Sequence, residues 1–172
     1  MDSVELRALQ APLKERYKAD PSAALITLRA RGELGDEKIA CKIETGRAIA
    51  EAGLHPATGG TGLELCSGDM LLEALVACAG VTLKSVATAI DAPIRSGRVL
   101  VEGDLDFRGT LAVSREAPVG FAEIRLSFEL DTDAPDDKLA SLLKLTERYC
   151  VVAQSLKSPP VMTLNVARSA SR

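Results

Sequence analysis

The chain has 172 residues, 47% of them hydrophobic and 26% charged, with 21 Lys and Arg against 24 Asp and Glu for a net charge of −3. That length suits one domain and lets roughly 68–70% of the unfolded surface be buried, which excludes extended disorder. The acidic balance, without any dense Lys/Arg block, lacks the attraction that phosphate backbones require and excludes nucleic acid as a main partner.

Residues Ser3 to Lys18 mix Leu, Glu, Arg and Lys at helical spacing, but Pro12 predicts a broken or frayed helix ending before Pro21. Residues 1–22 read as a peripheral helical extension and 23–172 as one domain. From Ala24, Ile26, Leu28 and Ala30 alternate with Thr27, Arg29 and Arg31, and Ile39, Cys41 and Ile43 form a second alternating set. The connection from Gly32 to Asp36 makes these two strands a hairpin.

Thr45 to Ser67 has little periodicity and carries His55-Pro56 and Gly59-Gly60-Thr61-Gly62, the composition of a long loop. Asp69 to Ile90 is apolar nearly all round, and such a helix must be enclosed by protein. Its longest uninterrupted apolar or small run, Ala74 to Leu83, ends at Glu73 and Lys84, far short of the roughly 20 residues of a membrane span. Val99, Val101, Leu105 and Phe107 alternate with charged residues, as do Ala122, Ile124, Leu126, Phe128 and Leu130, giving two half-exposed strands that read as antiparallel neighbours. Pro135 opens a helix whose stripe of Leu139, Leu142, Leu143 and Thr146 runs to Tyr149-Cys150, and Val161 to Val166 is a last strand.

Paired strands and separate helical blocks predict an α+β fold, with antiparallel sheets and a long buried central helix. One sheet covers one side of that helix, so a second copy of the chain, in an interlocked homodimer, is expected to cover the rest. No basic start followed by an apolar stretch and a cleavage site opens the chain, and the expected location is the cytoplasm.

Four cysteines in a reducing compartment do not form a disulfide framework, leaving redox chemistry, metal binding or burial. Cysteine packs well as a small hydrophobe, so each of the four also has a purely structural reading. Cys78 sits mid-helix, Cys150 ends the later helix on the stripe of Leu139 and Thr146, Cys41 lies on an inward strand face, and Cys66 follows the glycine run. With the single His55 they show no zinc-ligand spacing, so no metal is expected. The glycine run lacks a following Lys-Ser/Thr and reads as a turn or hinge, not a phosphate loop. His55 reads as a solvated loop residue or, less simply, as the base of a Cys-His pair.

The segment from Gly59 to Gly62 and from Ser67-Gly68-Asp69-Met70 through Ala77-Cys78 resembles the glycine loop and central helix of OsmC-like and organic hydroperoxide resistance (Ohr) proteins. Glu147-Arg148-Tyr149-Cys150 through Ser155-Leu156 resembles that family's second cysteine segment, and the likeness spans about Ala24 to Ala167. The resemblance implies an intertwined homodimer and a cofactor-free thiol peroxidase. Organic hydroperoxides would be its substrates and a cellular dithiol its reductant, with neither membrane nor nucleic acid as partner. It implies Cys78 as the residue that attacks the peroxide and becomes a sulfenic acid, and Cys150 as the residue that resolves it as a disulfide. The family's arginine from an early strand, which activates the cysteine, matches Arg31 or, second, Arg29.

The family's glutamate before the helix has no direct counterpart. Where Ohr proteins carry Pro-Glu, this chain has Gly68-Asp69, and Val151 stands where a proline commonly follows the cysteine. Asp69 is the candidate substitute, although nine helical residues turn it about 180° from Cys78. These departures point to a divergent OsmC-like member. They keep open a non-catalytic small-molecule-binding or stress-response protein, and a structural dimer whose thiols only pack.

Overall fold

The computed structural model describes residues 3–34, 41–43, 52–63 and 65–167. Five helices, α1 (Ser3–Ala19), α2 (Ser67–Ala89), α3 (Phe107–Thr110), α4 (Asp136–Tyr149) and α5 (Val151–Ser155), accompany five strands, β1 (Leu25–Leu34), β2 (Cys41–Ile43), β3 (Ser96–Asp106), β4 (Phe121–Asp131) and β5 (Val161–Ala167). The strands form one sheet in the order β2-β1-β3-β4-β5. Contacts gather the residues into two units, one of residues 1–28, 47–70 and 103–123, the other of residues 29–46, 71–102 and 124–172.

In the first unit, α1 runs unbroken through Pro12, although proline removes one helical N–H. The reason is tertiary anchoring. Tyr17 is buried and its hydroxyl donates to the Ala57 carbonyl at 2.7 Å, while Gln10 Nε2 donates to the Thr58 carbonyl at 3.4 Å. The glycine segment is a built turn. His55 caps a 3-10 turn (Pro56–Thr58), Gly59 follows at φ +95°, and Gly60 lies so close to the backbone that an added Cβ would stand 1.6 Å from the Leu54 oxygen.

In the second unit, β1 and β2 form the expected antiparallel hairpin with Gly32 opposite Ile43 and Leu34 opposite Cys41. Its connection is residues 35–40, which lie outside the described residues, as does the side chain of Cys41. The alternation on β3 and β4 is as predicted, with Val99 and Val101, then Ile124, Leu126, Phe128 and Leu130, buried on one face. One pairing departs from the antiparallel expectation: β4 and β5 run parallel, with Arg125 opposite Val161 and Asp131 opposite Ala167. Parallel neighbours need a crossover, and α4 and α5 provide it.

The central helix is covered on one side, as one sheet allows. Leu72, Leu75, Val76, Ala79, Leu83, Val86 and Ala87 form its buried side, and Lys84 reaches from that side to the Ile94 carbonyl at 3.4 Å. On the other side Leu71, Ala74 and Val81 are exposed, so a single copy of the chain covers only part of the helix. By length and apolarity α2 could cross a membrane, but half of its most apolar stretch is buried inside the chain, as in a core helix.

Gly60→Ala should lower stability by on the order of 2–3 kcal/mol, because backbone rather than a movable side chain blocks the new methyl. Gly120→Ala, where a Cβ meets nothing within 4 Å, should stay within about 0.5 kcal/mol of the parent. Urea unfolding of both variants checks the pair.

Candidate active site

Two of the sequence-predicted residues come together. Cys150 ends α4, its N–H donating to the Thr146 carbonyl at 2.9 Å, and its own carbonyl accepts from Gln154 to start α5. Its backbone leaves helical geometry there (φ −71°, ψ 102°), so the chain turns between the two helices at the cysteine. The turn brings the first residues of α5 against α2, where the Val152 N–H donates to Cys78 Sγ at 3.5 Å. Cys78 and Cys150 are both free thiols, and the two side chains are close enough for Cys78 to bear on the titration of Cys150.

Their surroundings differ. Cys150 is fully buried, whereas Cys78 is half-exposed among the uncovered Leu71, Ala74 and Val81, all within about 60° of it around the helix. Burial pushes the Cys150 thiol up to about 11, the neighbouring Cys78 side chain pushes the same way, and the Ala153 and Val152 amides offset part of the rise. At neutral pH Cys150 is therefore protonated, and Cys78 accepts the Val152 N–H.

The remaining sequence candidates lie elsewhere. Arg29 Nε pairs with Glu102 at 2.8 Å on β3, and Glu102 alternates with the buried Val101. Two residues on, Arg31 is exposed on the same strand face. Strand alternation thus turns both arginines to the sheet face opposite the buried one, and the described hydrogen bond to Cys78 comes from Val152. Asp69 already belongs to the first turn of α2, so nine helical residues do turn it away from Cys78. Burial raises its carboxyl above the usual range, and nearby His55 pulls part of the way back.

His55 serves the loop. Its Nδ1 accepts the Ala57 N–H at 3.0 Å and its ring stacks on Phe107 at 4.9 Å, which makes it a turn-capping residue and neither a solvated side chain nor a base for a cysteine. Cys66 is a half-buried free thiol whose carbonyl accepts the Met70 N–H at the start of α2. Among the described residues no group of three His, Cys, Asp or Glu could hold a metal ion. A concavity of about 560 Å³ opens among Arg98, Glu129, Leu130, Asp131, Asn165 and Val166, and neither cysteine lines it. The Val152 amide, a backbone group, escapes sequence inspection altogether.

A mixed sheet with a long helix and a C-terminal crossover that joins two cysteines defines an α+β protein of a recognisable kind. The OsmC-like protein family model matches residues 60–165, and the chain belongs to the OsmC-like family. Its fold is similar to that of an OsmC-like protein from Mycoplasma pneumoniae (16% identity over 81% of this chain and 94% of that one, TM-score 0.54). It is also similar to a hypothetical protein from Aquifex aeolicus VF5 (14% identity, 83% and 98% covered, TM-score 0.55). A third is an OsmC-like hydroperoxide resistance protein from Jannaschia sp. CCS1 (13% identity, 77% and 86% covered, TM-score 0.53). No curated protein matches the sequence significantly.

Because folded Cys150 holds its proton more tightly than an unfolded cysteine near 9.0, its contribution to stability is complete below about pH 9 and lost as pH rises toward 11. Urea midpoints of the reduced protein should fall across that window, and Cys150→Ala should fall less; parallel curves for the two proteins would contradict the assignment.

Proposed function

We propose that the protein is a thiol-dependent peroxidase that reduces organic hydroperoxides through Cys78 and Cys150. The observation that carries this reading is the pair of neighbouring free thiols, one sulfur half-exposed and the other buried and protonated. Membership of the OsmC-like family and the likeness to a structure described as a hydroperoxide resistance protein support it.

The Cys78 thiolate attacks the distal oxygen of ROOH. The O–O bond breaks, the alkoxide leaves and takes a proton as ROH, and Cys78 becomes a sulfenic acid. The Cys150 sulfur then attacks the Cys78 sulfur, expelling water after protonation of the hydroxide and forming a disulfide. A cellular dithiol reduces the disulfide and is itself oxidised, so the cycle needs no bound cofactor. The Val152 amide, which donates to the Cys78 sulfur, holds that sulfur in place for the attack. The apolar strip of Leu71, Ala74 and Val81 beside Cys78 favours lipid-like or aromatic hydroperoxides over hydrogen peroxide. It is also the strip that a second copy of the chain would cover, and a cytoplasmic homodimer is part of the proposal.

Treatment of the reduced protein with one equivalent of cumene hydroperoxide should yield a Cys78–Cys150 disulfide by mass spectrometry. A trappable sulfenic acid at Cys78 is expected in Cys150→Ser, and no peroxide consumption in Cys78→Ser. Four thiols unchanged after treatment would rule the peroxidase reading out. Light scattering should give twice the chain mass, and Val81→Glu should shift it toward the monomer.

A further inference from the structure

The Thr146 side chain is completely buried, and its hydroxyl has no hydrogen-bond partner among the described residues. Leaving a buried hydroxyl unpaired costs folding free energy, whereas valine would fill the same space without that cost. The hydroxyl therefore suits a partner that the resting protein does not present.

Position narrows the choice. Thr146 lies on the buried stripe of α4 with Leu139 and Leu142, one turn before Cys150, whose N–H is bonded to the Thr146 carbonyl at 2.9 Å. Side chains four apart on a helix have Cβ atoms about 5–6 Å apart, and threonine divides its χ1 between two wells in helices. A change between those wells is the movement that would turn the hydroxyl toward the Cys150 sulfur. At rest that sulfur is a neutral thiol, and Cys78 is the titratable group that bears on it. A thiolate in the same buried place would call for a donor.

We infer that the Thr146 hydroxyl donates a hydrogen bond to the Cys150 sulfur whenever that sulfur carries negative charge. Such charge arises twice in the cycle, so the inference rests on the peroxidase reading for its purpose. In resolution, the Cys150 thiolate attacks the Cys78 sulfenic sulfur, an S–S bond forms, and the S–O bond breaks to release hydroxide, which takes up a proton as water. In reduction, a thiolate of the external dithiol attacks Cys78, the more exposed sulfur. The S–S pair then departs on Cys150, and the second thiol of the reductant closes its own disulfide onto the first, freeing Cys78. In both steps one donor would stabilise the same atom, the one that burial otherwise disfavours as an anion.

The test compares Thr146→Val, which keeps the shape and removes the hydroxyl, with Thr146→Ser, which keeps the hydroxyl. In a background with Cys41, Cys66 and Cys78 changed to serine, Cys150 is the sole thiol, and ultraviolet thiolate absorbance reads its titration. Thr146→Val should raise the midpoint by about one pH unit while Thr146→Ser leaves it near the parent value. In the full-cysteine protein, disulfide formation after hydroperoxide should slow about tenfold in Thr146→Val and recover in Thr146→Ser. Should the valine variant not fold, Thr146→Ala removes the same hydroxyl. A midpoint unchanged by loss of the hydroxyl overturns the inference. The titration involves no peroxide, so failure of the parent protein to react with hydroperoxide would count against the peroxidase reading alone.

Discussion

The constraint behind this structure is the covering of α2. A helix of twenty-three residues with apolar side chains on most of its circumference cannot be left in water, and one sheet can shield only part of it. The buried side from Leu72 to Ala87 meets that requirement inside the chain, and even its one cation, Lys84, is led to the Ile94 carbonyl at the edge of the core. Nearby, the crossover helices α4 and α5 bring a second segment to Cys78. What is left uncovered is a narrow apolar strip, and Cys78 lies in the middle of it.

Placing two like groups in unlike surroundings is a general way of dividing chemical labour. The sulfur of Cys78 is half-exposed, while that of Cys150 is buried and held neutral. A single backbone amide, that of Val152, ties the arrangement together across 74 positions of sequence. The short α5 exists in the place it does because Cys150 ends one helix and opens the next.

Much of the fold is legible in the residues. The period-two alternation from Ala122 to Leu130 and the helical stripe through Leu139, Leu142 and Thr146 each report one buried face, and both elements are found where the pattern puts them. The two cysteines are legible as candidates because both stand at helical spacing on core-facing elements. The direction of β5 is not, since the same alternating residues can pair either way and the crossover decides. Pro12 misleads because its cost is local while the anchoring of Tyr17 is not. For the arginines, family likeness gives a position along β1, and the partner Glu102 tells which way Arg29 faces. A backbone donor such as the Val152 amide has no letter in the sequence at all.

The order of elements along the chain has a consequence for synthesis. The ribosome delivers α2 before β3, β4, α4 and β5, so at roughly 5–20 residues per second its apolar side waits about 4 to 16 s for the segments that follow it. Through that interval the nascent chain presents a long sticky helix whose shelter has yet to be made. Its fate depends on chaperones or on neighbouring nascent chains, and slowing translation after Ala89 would lengthen the exposure without changing a single native contact.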